Sequence, residues 1–190
     1  MKYSLWFSLS LLGLIGCTSQ GVKDEVVIYD LSENELIEKG AYLVEVIGCG
    51  DCHTPKMMTE RGPVPDTSKI LSGHVDGDLS ALVNKEALSD WVLFNGSLTA
   101  AVGPWGISYS ANLSSDASGI GNWTEEQFMV AMKQGKYKGI QNSRDLLPPM
   151  PWQNFAQMKD EDLKAIFAYL KSTNPVRNVV PPAVNPEDLE

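Results

Sequence analysis

Histidine and cysteine are scarce in this 190-residue chain, which has two of the first and three of the second. Three cysteines are too few for a disulfide scaffold. Basic residues are in the minority: 15 Lys and Arg stand against 24 Asp and Glu, for a net charge of −9. They form no cluster, so phosphate groups would find no focused donors, and nucleic acid is excluded as a partner. No apolar run reaches the ~20 residues that a membrane-crossing helix needs, which excludes a multi-span membrane protein. Internal repeats are absent. What is present is ordinary: 43% apolar and 21% charged residues, the balance of a globular chain with one domain's worth of core.

The N-terminus reads as an address. Lys2 precedes residues 3–15, an uncharged and mainly apolar stretch of thirteen. That is the length of the apolar region of a secretory signal. The stretch ends Leu14-Ile15-Gly16-Cys17, which resembles the lipobox of bacterial lipoproteins. The resemblance implies that residues 1–16 are removed and that Cys17 is lipidated. Residues 17–31 then form a lipidated tether, and the protein sits in the cell envelope, facing the periplasm on an inner or outer membrane. The competing reading is an ordinary secretory signal with a stray cysteine.

Further along, Ser32-Glu33-Asn34-Glu35 is a capping box. It opens a helix carrying Leu36, Ile37, Tyr42, Leu43, Val46 and Ile47. Residues 84–94 are a second helix candidate, stopped by Asn95-Gly96. Residues 103–121, rich in Gly, Ser and Asn, read as loop or small hairpin. Thr124-Glu125-Glu126-Gln127 is another capping box, for a helix ending near Gly135. Pro148-Pro149-Met150-Pro151 cannot be helix interior. Asp160 is the expected cap of a last helix with Leu163, Ile166, Phe167 and Leu170, ended by Asn174-Pro175. Residues 176–190 read as a Pro-rich tail. The fold class expected is all-α, with three to four helices and long loops in a domain over 32–175. Loops of that length need something to organise them, and a large buried cofactor would do so.

Cys49-Gly50-Asp51-Cys52-His53 names that cofactor. C-x-x-C-H is the attachment signature of c-type haem. On one helical turn, positions i, i+3 and i+4 share a face. Two thiols there can add across the haem vinyl groups while the imidazole sits beneath the iron. The motif occurs once, so one covalent haem c is expected. Three other uses of the cysteines are weaker. A thioredoxin-like C-x-x-C should follow a strand in a βαβ pattern, and here a helix precedes it. Structural zinc needs four ligands, and His53 is adjacent to Cys52. A disulfide is the bland option.

For the sixth position on iron, Met150 is favoured among the seven methionines. Flanking prolines restrict its loop, so a thioether there is held with little reorganisation. Met57 and Met58 lie too close to His53 in sequence; Met129, Met132 and Met158 read as core. His74, in a loop, is the rival ligand.

These features together resemble class I cytochrome c. Gly103-Pro104-Trp105-Gly106, Ala111-Asn112-Leu113, Gly119-Ile120-Gly121-Asn122-Trp123 and Pro148-Pro149-Met150-Pro151-Trp152 are more closely similar to the cytochrome c domains of bacterial membrane-associated dehydrogenase subunits. The resemblance implies that first and last helices pack together, through residues such as Leu36, Leu43, Leu163, Phe167 and Leu170. It implies a proline carbonyl, with Pro63 the candidate, accepting the His53 Nδ1 hydrogen bond. It also implies Trp105 or Trp152 lining the haem and Asn112 near its edge. The expected role is electron transfer with dehydrogenase, oxidase or respiratory-complex partners, without catalysis by this chain. Two alternatives stay open: a haem enzyme or gas sensor with a vacant sixth position, served by His74 or Asn112, and a haem relay subunit of a larger membrane complex.

Overall fold

The computed structural model describes residues 31–83, 88 and 91–189. The signal segment, nearly all of the tether and Cys17 lie outside the described residues. The elements, in order, are helices α1 (Glu33–Val46) and α2 (Cys49–His53), strands β1 (Lys56–Thr59), β2 (Gly62–Pro65), β3 (Leu93–Phe94), β4 (Ala100–Gly103) and β5 (Gly106–Tyr109), and helices α3 (Glu125–Gln134), α4 (Trp152–Phe155) and α5 (Asp160–Ser172). None of these helices is long and apolar enough to cross a membrane.

Both capping boxes form. The Ser32 hydroxyl accepts from the Glu35 N–H while the Glu35 carboxylate accepts from the Ser32 N–H, and Thr124 and Gln127 repeat the arrangement. Each box satisfies donors that the first helical turn leaves unpaired. Asp160 does not cap α5. That position falls to Lys159, which makes no side-chain cap bond, and Asp160 instead pairs with Lys133 at 2.8 Å.

The first and last helices pack against each other, as the resemblance implies. Gly40 makes the approach possible: a Cβ there would lie 1.9 Å from the Ala165 carbonyl oxygen. Around that crossing, Val44, Leu71, Ile120, Phe128, Met132, Leu163, Ile166 and Leu170 form the main core. Leu163, Ile166 and Leu170 are at most 1% exposed, and burying each such side chain is worth about 1.5–3 kcal/mol. Leu43 and Phe167 flank this core, with the Phe167 ring tilted on Phe128 at 5.2 Å between centroids.

The all-α expectation needs correction, because two small antiparallel sheets are present. One is the β1–β2 hairpin, pairing Lys56 with Pro65 through Thr59 with Gly62. The other has the order β3-β4-β5. Residues 84–94 read as a helix in sequence, yet Leu93 and Phe94 pair with Val102 and Ala101. Six residues of that span (84–87, 89 and 90) lie outside the described residues. Apolar residues beside an Asn-Gly punctuation pair here with a facing strand, which decides more than local preference does. The hairpin in the glycine-rich stretch begins at Ala100, and its turn uses Gly106 at φ +89°. Residues 176–189 run over the body: Val184 bridges to Ile107, and Leu189 is buried with Val102 and Ile107 in a second small core.

Candidate haem-binding site

The five residues of the C-x-x-C-H motif form α2, a single helical turn. Gly48, at φ +75°, ends the chain's approach from α1 and starts this turn. Cys49 packs against the main core, and both Cys49 and Cys52 are free, half-buried thiols. Burial pushes the Cys49 thiol up to about 11 and moves Cys52 the same way. At neutral pH both are therefore thiols, the opposite of the activated cysteines of a dithiol redox enzyme. Among the described residues, no three His, Cys, Asp or Glu side chains converge to hold a metal ion, as the zinc reading would need.

His53 is buried, and its Nδ1 lies 2.8 Å from the Ala111 carbonyl oxygen. A carbonyl only accepts, so Nδ1 carries the proton. Nε2 has no hydrogen-bond partner among the described residues. Burial lowers the His53 pKa, so the imidazole is neutral, the form that ligates iron. Two free thiols three residues apart on one turn, beside an imidazole with an open Nε2, are the donor set that a c-type haem requires.

The acceptor for Nδ1 corrects the expectation of Pro63, which lies exposed on β2. Ala111 reaches the ring because Gly73 has no side chain: a Cβ there would meet the Ser110 carbonyl at 2.5 Å and the Ala111 carbon at 2.6 Å. Gly73 also donates to the His53 carbonyl at 2.8 Å, and Leu113 donates to Leu71 at 2.8 Å. Segments 71–74 and 110–113 are thus laced together beside α2. Asn178 fastens them from outside, its Nδ2 donating at 2.7 Å to the carbonyls of Ser72 and His74. Sequence reasoning missed Gly73 and Asn178. The sequence offered only a glycine between Ser72 and His74 as a hint; its φ of +77° is visible only in the fold.

Lys56 closes the other end of the turn. Its ammonium donates to the Thr54 carbonyl at 2.8 Å, to Gly50 at 3.3 Å and to Asp51. A cation there satisfies the unpaired carbonyls at a helix C-terminus and complements its dipole.

Met150 is half-buried and packs against the same core as Cys49. Its loop hangs on the end of α3. Leu146 donates to Gly135 at 2.6 Å, Lys136 pairs with Asp145 at 2.6 Å, and the Trp152 indole covers Gly135 where a Cβ would stand. Met57 and Met58 project from β1 and are exposed. His74, the rival ligand, is not exposed in its loop. It is fully buried, with Nδ1 on Thr99 Oγ1 and Nε2 donating to the Gly77 carbonyl, each at 2.8 Å. Both nitrogens are engaged by the protein. Asn112 is engaged as well, donating to the Val176 carbonyl at 2.8 Å and accepting from the Ser114 N–H at 2.9 Å. Trp105 covers Gly103 and Trp152 covers Gly135.

Comparison with known proteins follows the same geometry. The family model described as cytochrome c matches residues 37–174. The gluconate 2-dehydrogenase cytochrome c subunit of Pantoea cypripedii is 29% identical over 141 residues, which is 74% of this chain and 24% of that protein. The fructose dehydrogenase cytochrome subunit of Gluconobacter japonicus is 41% identical over 69 residues, 35% of this chain and 13% of that one. A nicotinate dehydrogenase subunit of Pseudomonas putida is 38% identical over 79 residues, 41% of this chain and 6% of that one. The chain therefore spans at most about a quarter of the length of these relatives. Since the matched residues run from within α1 to just past α5 and take in the whole of the C-x-x-C-H turn, the chain belongs to the cytochrome c family.

Proposed function

We propose that this protein carries single electrons between redox partners at the cell envelope, as a c-type cytochrome with one haem. Membership of the family implies a covalent haem c. In our reading Cys49 and Cys52 would hold it by thioether bonds, and His53 Nε2 and Met150 Sδ would bind its iron. The observation that carries this is the His53 ring, pinned at Nδ1 by Ala111 and open at Nε2 on the same turn as the two thiols. The single C-x-x-C-H in the sequence supports one haem. Bound there, the haem supplies a one-electron iron couple.

The chain's own residues set how that couple behaves. The Ala111 carbonyl fixes the orientation of the His53 ring and makes it a more basic ligand. A neutral thioether from Met150 favours the reduced iron and raises the potential. The net charge of −9 favours partners with a basic face and makes exchange rates fall with added salt. The relatives named as cytochrome subunits of gluconate and fructose dehydrogenases support a dehydrogenase as one partner. Attachment through a lipid on Cys17, with residues 18–31 as tether, would keep the domain near its partners at high local concentration.

The test is the absorption spectrum of the mature protein, produced with haem-maturation machinery. A sharp low-spin reduced spectrum, a far-red sulfur-to-iron band when oxidised, and a mass increase of one haem are expected. A high-spin spectrum that changes readily with carbon monoxide would overturn the carrier reading in favour of an open-site enzyme or sensor. Loss of the protein from the membrane fraction on Cys17→Ser tests the anchor, and unchanged fractionation would remove it.

A further inference from the structure

The segment that bears Met150 is poorly able to hold itself in place. Pro148, Pro149 and Pro151 have no N–H to donate. Within residues 147–151, Met150 donates only to its neighbour Leu147, at 3.3 Å, and the later carbonyls serve the start of α4. The anchors already described lie before and after this segment, at Leu146 and Trp152. Among the described residues, one bond reaches its middle from elsewhere in the fold. The Ser108 hydroxyl, on β5, donates to the Pro148 carbonyl at 2.6 Å. Its direction is unambiguous, because a carbonyl accepts only. The Trp105 Nε1–H in turn donates to Ser108 Oγ at 3.3 Å. The serine proton has two carbonyls in reach, Ala101 at 3.4 Å and Pro148 at 2.6 Å, and the shorter, better contact to Pro148 takes it. Ser108 itself is placed by the strand ladder, opposite Ala101.

We infer that Ser108, oriented by Trp105, is a positioning residue for Met150: the hydroxyl ties the β4–β5 hairpin to the proline loop and so sets the approach of the thioether to iron. The inference rests on the proposal that Met150 is the sixth ligand. It also gives the small sheet a role. A hairpin remote from the C-x-x-C-H turn in sequence becomes the strut behind the Met150 loop.

The test uses the mature, haem-loaded full chain and follows the far-red sulfur-to-iron band of the oxidised protein as pH is raised until the methionine leaves. Removing one hydrogen bond should favour the detached state roughly three- to ten-fold. Ser108→Ala is therefore expected to lower the midpoint of band loss by about 0.5–1 pH unit, the logarithm of that factor for a one-proton trigger. Ser108→Thr restores the hydroxyl and should return the midpoint to the wild-type value. Trp105→Phe keeps a ring but drops the N–H, and should shift the midpoint the same way by less. A generally loosened structure would not be rescued selectively by threonine. If the wild type shows the band and Ser108→Ala leaves its midpoint unmoved, the positioning role is wrong while Met150 ligation stands. If the wild type lacks the band, or Met150→Ala keeps it, the ligand reading fails and this inference fails with it.

Discussion

Gly40→Ala is the sharpest probe of the helix pair on which the site is built. The added methyl carbon would stand 1.9 Å from the Ala165 carbonyl oxygen and 2.7 Å from Tyr169 Cβ. Carbon–oxygen contacts settle at about 3.3–3.6 Å, so α1 and α5 must part by roughly 1.5 Å. A gap of about 0.5–1 Å already forfeits up to half of the attraction between facing atoms, so a rigid parting of this size forfeits about half or more. Four buried side chains belong to the two helices (Val44, Leu163, Ile166 and Leu170), each worth about 1.5–3 kcal/mol when buried. Half of that total is roughly 3–6 kcal/mol. Alanine's better helix propensity returns about 1 kcal/mol, leaving a net cost of about 2–5 kcal/mol, at or above the usual range for overpacking. Guanidinium unfolding of the haem-loaded protein, followed by circular dichroism, reads this directly. The thermal midpoint should fall by roughly 4–20 °C. Gly96→Ala is the control: nothing lies within 4 Å of its Cβ position, so stability should stay within about 0.5 kcal/mol. A Gly40→Ala protein as stable as wild type, or more so, would refute the close-crossing argument.

Other perturbations separate the remaining parts. Lys56→Met keeps the aliphatic stem but removes the donor to the Gly50, Asp51 and Thr54 carbonyls. It should cost about 1–2 kcal/mol and lower the reduction potential, because a cation beside the turn favours the reduced iron; an unchanged potential would show that the ammonium acts on structure alone. Thr99→Val leaves the buried His74 Nδ1 without its partner and should cost about 1–3 kcal/mol, read by denaturant midpoint. The carboxyls of Asp66, Asp78 and Asp116 are held below the ordinary range, chiefly by hydrogen bonds from Ser68, Ser80 and Ser118. Their folded values lie below the unfolded value of ~3.9. Each thus contributes stability above about pH 4 that is lost as pH falls through the folded value, and the unfolding temperature should drop across that window. Burial pushes the Tyr109 phenol up to about 12, so its contribution is complete below about pH 10 and fades as pH rises through 12. Ultraviolet titration should show a late-ionising tyrosine that Tyr109→Phe abolishes.

Local chemistry wrote much of this fold in one dimension. Both capping boxes and the apolar stripes of α1, α3 and α5 were legible, because each rests on spacings of three or four residues; the packing of first on last helix was expected only from the family resemblance. The C-x-x-C-H turn was legible for the same reason: its cysteines and histidine stand at i, i+3 and i+4, and here the five residues form one helical turn. Asp160 misled because an acidic residue in the first turn looks like a cap from sequence, and only the backbone at Lys159 shows otherwise. Residues 84–94 misled because short apolar runs suit helix or strand alike, and the choice was made by pairing with β4.

What only the tertiary structure decided is what surrounds the motif. Pro63 and Ala111 were equally available in sequence as acceptors for His53. Ala111 wins because Gly73 lets two chain segments touch backbone to backbone, a contact between residues almost forty positions apart. His74 looked like a candidate ligand until burial placed Thr99 and Gly77 on its two nitrogens. Met150 was visible as an unusual methionine between prolines, but nothing in its neighbourhood pointed to Ser108. Residue types and short spacings determine helical turns and attachment chemistry, since those need only neighbours along the chain. Acceptors, struts and buried partners need atoms that meet across long loops, and those meetings exist only once the chain has folded.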